Sequence, residues 1–108
     1  MALIPRFLSG EALAQASPEE LVASMQEGGK IIFLRHAATN ADEIDTGQLE
    51  NRAGQRNLSE YGIAQAKALG DAYRGANIPF GRILASPVFR ARDTAELAFA
   101  ADNIEVTM

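Results

Sequence analysis

Hydrophobic positions along the chain switch between helical and strand-like spacing, and the switches mark out its elements. The first clear start is Ser17-Pro18-Glu19-Glu20: a serine suited to cap a helix, proline at the first helical position, and glutamate three residues after the cap. Leu21, Val22 and Met25 supply one apolar face behind it, and Gly28-Gly29 supply a stop able to take left-handed backbone angles. Residues 30–35 then form a short, nearly continuous apolar run rich in isoleucine, the pattern of a strand covered on both faces. From His36 to Asn57 the chain turns polar and loses any period, which predicts a long loop, and loops of this length in compact domains are usually functional or mobile.

Helical spacing resumes from Leu58 to Gly75 through Ile63, Ala66, Leu69 and Tyr73, with Ser59 as N-cap and with Gly62 and Gly70 weakening the helix. Residues 82–86 read as a second strand, and Pro87 starts a further helix to about Ala101, with Phe89, Ala95, Leu97 and Phe99 as core candidates. Ile104-Glu105-Val106-Thr107 alternates like the start of a third strand. Strands alternating with helices predict right-handed parallel crossovers. The expected fold class is therefore α/β, an open, mostly parallel sheet with flanking helices and a ligand crevice at the carboxyl ends of the strands. Residues 1–16 read as an N-terminal arm and residues 17–108 as the domain.

Composition narrows the function. At 108 residues with 47% hydrophobic content, the chain has enough apolar surface for one small core. A net charge of −4, with the acids scattered, provides no basic field for nucleic acid. No cysteine is present, which excludes disulfides and thiolate metal sites, and a single histidine argues against zinc. No apolar stretch approaches the roughly 20 residues needed to span a bilayer, so no membrane partner is expected. The segment 42–47 holds Asp42, Glu43 and Asp45, but their spacing does not match a calcium loop, and a solvated acidic loop is the better reading. Compartment is left open between cytoplasm and export.

Two candidate groups fall at the expected crevice. The only histidine, His36, follows Arg35 at the end of the first apolar run. Neutral imidazole is a nucleophile near pH 7, and a neighbouring guanidinium can hold a phosphoryl oxygen, so Arg35-His36 suggests phosphoryl transfer. Ser86-Pro87 ends the second strand and puts Arg90 in the first turn of the next helix, where backbone N–H groups also favour anions. Arg90 has an alternative role in a salt bridge with Asp93 or Glu96 of its own helix. Arg92 reads as a solvated surface residue. Eight of the ten basic residues are arginine, which suits bidentate phosphate binding.

With these residues in place, three blocks of the chain resemble the histidine phosphatase superfamily, the phosphoglycerate-mutase-like proteins. They are Leu34-Arg35-His36-Ala37-Ala38-Thr39, the stretch from Gln55 to Ala66, and Ser86-Pro87-Val88-Phe89-Arg90-Ala91-Arg92-Asp93-Thr94-Ala95, in the family's order. The resemblance implies a phosphomonoester phosphatase in which His36 attacks phosphorus to form a phosphohistidine, while Arg35 and Arg90 hold phosphoryl oxygens. Paired guanidiniums suit a transition state that spreads charge over equatorial oxygens, so no metal or other cofactor is expected. Arg56 and Thr39 are candidate substrate contacts, each with a plainer role in the loop. Ala37 stands where the family most often has glycine. The family's second histidine has no counterpart here, so the resemblance implies the N-terminal half of a catalytic domain. An expected partner is a small phosphorylated substrate or phosphate ion. A second reading is a catalytically incomplete phosphate-binding or assembly module. A missing later strand would leave a sheet edge uncovered, from which a homo-oligomer is expected.

Overall fold

The computed structural model describes residues 16–100 and 104–107, so the arm assigned to residues 1–16 lies almost wholly outside the described residues. Helix α1, Pro18–Gln26, begins with the expected capping box: the Ser17 hydroxyl accepts from the Glu20 amide, and the Glu20 carboxylate accepts from the Ser17 amide. Gly28 and Gly29 end it at φ of 74° and 69°, the left-handed region that a side chain resists. Its apolar face finds little cover. No residue of α1 is buried, and Leu21 is exposed.

Helix α2, Glu60–Gly75, is capped by Ser59, whose hydroxyl accepts from the Gly62 amide. It closes through Asn77 at φ 55°, with the Ile78 amide bonded to the Tyr73 carbonyl. Helix α3, Phe89–Phe99, starts two residues later than Pro87 suggested, and its N-cap Val88 provides no side-chain cap. Strand β1, Ile83–Ala85, pairs in parallel with strand β2, Ile104–Val106, with Ile83 opposite Ile104 and Ala85 opposite Val106. Helix α3 connects the two strands and packs against both. The protein is thus a small α/β fold with three helices and a two-stranded open parallel sheet among the described residues. No helix among them is long and apolar enough to cross a membrane.

The main departure from the sequence pattern lies at residues 30–35. This segment is no strand: among the described residues it has no ladder partner. Ile31 and Phe33 are 97% and 94% exposed, against the expectation of cover on both faces. Hydrophobic pattern reports which side chains favour burial, whereas a strand also needs a neighbouring edge to take its backbone groups. The long loop, by contrast, holds more order than its lack of period indicated. It contains a one-turn 3-10 helix, Arg52–Gly54, and Thr39 bridges antiparallel to Leu58.

Small side chains make up much of the core. Ala37, Ala66, Ala85, Ala95 and Ala98 are buried beside Leu58, Tyr73, Ile78 and Ile83. Packing therefore relies on close backbone approach between α2 and α3, and Gly70 is where they touch: a Cβ there would overlap the Ala98 carbonyl. Arg74 donates to that same carbonyl at 3.0 Å, satisfying an oxygen near the end of α3. Among the predicted core positions, Ala66, Tyr73 and Ala95 are buried, Leu69, Phe89, Leu97 and Phe99 are half-buried, and Ile63 is exposed. Replacing Gly70 by alanine is expected to cost about 2–3 kcal/mol in denaturant unfolding, because two helices would have to separate. Gly75→Ala, with open space around the added methyl, should be neutral or slightly stabilising. Equal effects of the two substitutions would contradict this packing.

Candidate functional site

The segment after His36 is fastened to both helices. The Ala38 carbonyl accepts from the Ser59 amide at 3.0 Å and from its hydroxyl at 3.3 Å, and the Ala38 amide donates to Gln65 Oε1 at 3.0 Å. Gly62 makes this approach possible, since a Cβ there would overlap the Ala38 carbonyl. On the other side, the buried Ala37 amide donates to Thr94 Oγ1 at 3.0 Å, and that hydroxyl donates to the Arg90 carbonyl at 2.7 Å. One threonine thus ties the residue after His36 to the backbone of Arg90.

His36 itself is half-buried, with Nδ1 2.8 Å from the Ala37 carbonyl oxygen. A carbonyl can only accept, so this bond puts the proton on Nδ1 and leaves the lone pair of the neutral ring on Nε2. The geometry suits a nucleophile. Arg35 is exposed and, among the described residues, lies outside the hydrogen bonds that connect the segment after His36 with Arg90, Asp45 and Arg56.

Arg90 sits in the first turn of α3, as expected, but its ionic partner is neither Asp93 nor Glu96. Its Nη1 contacts both oxygens of Asp45 at 3.0 Å, across the chain from the polar loop. Asp45 Oδ1 also accepts from the Arg56 amide at 3.0 Å, so one carboxylate joins Arg90 to Arg56. That backbone bond, together with the Arg90 and Arg56 charges, holds the Asp45 carboxyl below the ordinary range for aspartate. Glu43 is lowered in the same way, first by the Asn57 amide and then by the Asn40 side chain. Both carboxylates therefore stay ionised at neutral pH and fasten the loop. Neither is suited to deliver a proton to a leaving group.

Arg56 is half-buried, and its Nε has no hydrogen-bond partner among the described residues. Thr39 is held in its bridge with Leu58. Asp93 pairs with Arg52 through two bonds of 2.5 and 2.9 Å, and the Arg52 guanidinium lies 4.3 Å over the Phe89 ring. The Arg92 guanidinium lies 5.2 Å from the same ring centre, so it packs on an aromatic face and is not purely solvated.

The start of α3 is also partly occupied. Gln55, 2% exposed, accepts from the Phe89 amide at 2.7 Å through Oε1. It supplies the cap that Val88 lacks and uses one of the N–H groups that sequence reasoning assigned to an anion. Gln55, Asp45, Thr94 and Gln65 were absent from the sequence-based site. A four-residue interval from Arg90 to Thr94, one helical turn, was the available signal for Thr94. No local pattern announces the other contacts.

Among the described residues, no group of three or more histidine, cysteine, aspartate or glutamate side chains is arranged to hold a metal ion. A family model described as the histidine phosphatase superfamily (branch 1) matches residues 31–108. The chain belongs to the histidine phosphatase superfamily. No curated protein and no solved structure matches it. The matched span starts at the exposed apolar run and takes in His36, the loop, α2, β1, α3 and β2, so all the candidate residues of this superfamily member lie within it.

Proposed function

We propose that this histidine phosphatase superfamily member hydrolyses phosphomonoesters through a phosphohistidine formed on His36. The observation that carries the reading is the Nδ1 bond from His36 to the Ala37 carbonyl, which leaves Nε2 as the nucleophilic nitrogen. Superfamily membership points to phosphatase-type chemistry on a small phosphorylated substrate. In the first step the Nε2 lone pair forms a bond to phosphorus while the ester P–O bond breaks and the leaving alkoxide takes a proton from solvent water. In the second step water attacks phosphorus, the Nε2–P bond breaks and its electron pair returns to Nε2, and phosphate leaves as the attacking water gives a proton back to solvent. Arg35 and Arg90 hold the equatorial oxygens as negative charge spreads over them. Arg56, whose buried Nε lacks a partner among the described residues, and Thr39, in the same loop, contact the substrate's phosphoryl end.

A second reading is favoured by one observation: the extended apolar side chains of Ile31 and Phe33 are almost fully exposed. A surface of this kind supports an assembly module that binds phosphate without turnover and associates with a second copy through residues 31–34. His36 is the only histidine of the 108 residues.

Hydrolysis of a generic phosphomonoester should fall at least about 100-fold in His36→Ala, and wild-type protein quenched in alkali should carry an acid-labile phosphate on His36 Nε2. Equal rates in the two proteins, or phosphate attached at Nδ1, would overturn the catalytic reading. For the assembly reading, sedimentation equilibrium at high concentration should show a dimer or larger species that Phe33→Glu dissociates. A monomeric wild-type mass under those conditions would remove it.

A further inference from the structure

The ion pair between Arg90 and Asp45 has a consequence beyond holding the loop. Arg90 is the arginine that the proposed chemistry needs for a phosphoryl oxygen, yet its Nη1 is engaged by both Asp45 oxygens. A carboxylate offers the same forked pair of anionic oxygens as one edge of a phosphoryl group, so the two compete for one guanidinium. The pair is not sealed in the core: the Arg90 and Asp45 side chains are 22% and 44% exposed, which leaves the contact exchangeable with solvent.

The loop is also attached independently of this pair. Glu43 accepts from Asn40 and from the Asn57 amide, Gln55 holds the Phe89 amide, and Thr46 bonds to Gly54 through both its backbone and its hydroxyl. Asp45 can therefore leave Arg90 while the rest of the loop stays in place. We infer that Asp45 is an internal phosphate mimic, seated on Arg90 when the site is empty and displaced from it when a phosphoryl group binds. The inference rests on the reading of Arg90 as a phosphate ligand. In this arrangement the loop keeps a positively charged cradle neutralised between substrates and selects for anions that bind Arg90 better than a single carboxylate does. A phosphate dianion outcompetes Asp45; a lone carboxylate ligand gains little over it.

The test is a titration of the protein with inorganic phosphate at neutral pH, comparing wild type with Asp45→Asn, Glu43→Gln and Arg90→Gln. The Asp45→Asn side chain keeps an oxygen for the Arg56 amide while removing the charge that holds Arg90. Phosphate should bind Asp45→Asn about twofold to fivefold more tightly than wild type, as expected for removing an exposed competing ion pair. In wild type labelled with carbon-13, the Asp45 carboxyl resonance should shift as phosphate saturates. Glu43→Gln removes a charge from the same loop without touching Arg90 and should leave affinity unchanged. Equal or weaker binding by Asp45→Asn, or an equal gain in Glu43→Gln, would overturn the inference. Arg90→Gln separates the two levels. If it weakens phosphate binding while Asp45→Asn has no effect, the site stands and the mimic falls. If it leaves binding unchanged, Arg90 is no phosphate ligand and both readings fall.

Discussion

The turn that follows His36 is the constraint on which the rest of the site depends. Ala37 is buried, so its amide must find a partner or incur the cost of an unpaired donor, on the order of 1–3 kcal/mol. Thr94 provides that partner and passes the connection to the Arg90 carbonyl. Ser59 and Gln65 take the next peptide, and Gly62 clears the space for it. A short stretch of backbone is thereby held between α2 and α3, and the imidazole direction follows from it through the Ala37 carbonyl.

Around this turn the protein solves a packing problem with few large side chains. The alanines and glycines of α2 and α3 bring backbones together, and long polar side chains fasten the loop that large apolar groups would otherwise have anchored. Gln55 on the Phe89 amide, Glu43 on the Asn57 amide and Asp45 on the Arg56 amide each use a side-chain oxygen to satisfy a backbone donor. The same bonds that stabilise the loop also determine which charges face Arg90, so structural order and the proposed anion recognition share one set of contacts.

Local chemistry made much of the fold readable in advance. The caps at Ser17 and Ser59, the glycine stop at Gly28-Gly29 and the apolar triplet at Ile83–Ala85 each depend on a few neighbouring residues, and each appears where the pattern indicated. Residues 30–35 show where that reasoning ends, because a strand is a relation between two segments and the apolar run specifies only one of them. The site divides in the same way. Arg90 in the first turn of α3 follows from the position of Ser86-Pro87, but its pairing with Asp45 joins residues 45 positions apart through a loop with no periodicity. The Arg52 pair with Asp93 spans 41 positions and is equally invisible to local reading.

The proposed chemistry turns on the state of one imidazole. Long-range nitrogen-15 NMR of His36, recorded where the ring is neutral, distinguishes its two tautomers directly. The bond to the Ala37 carbonyl predicts a protonated Nδ1 and a bare Nε2. A ring carrying its proton on Nε2 would contradict the account, since the nitrogen assigned to attack phosphorus would then have no lone pair to offer.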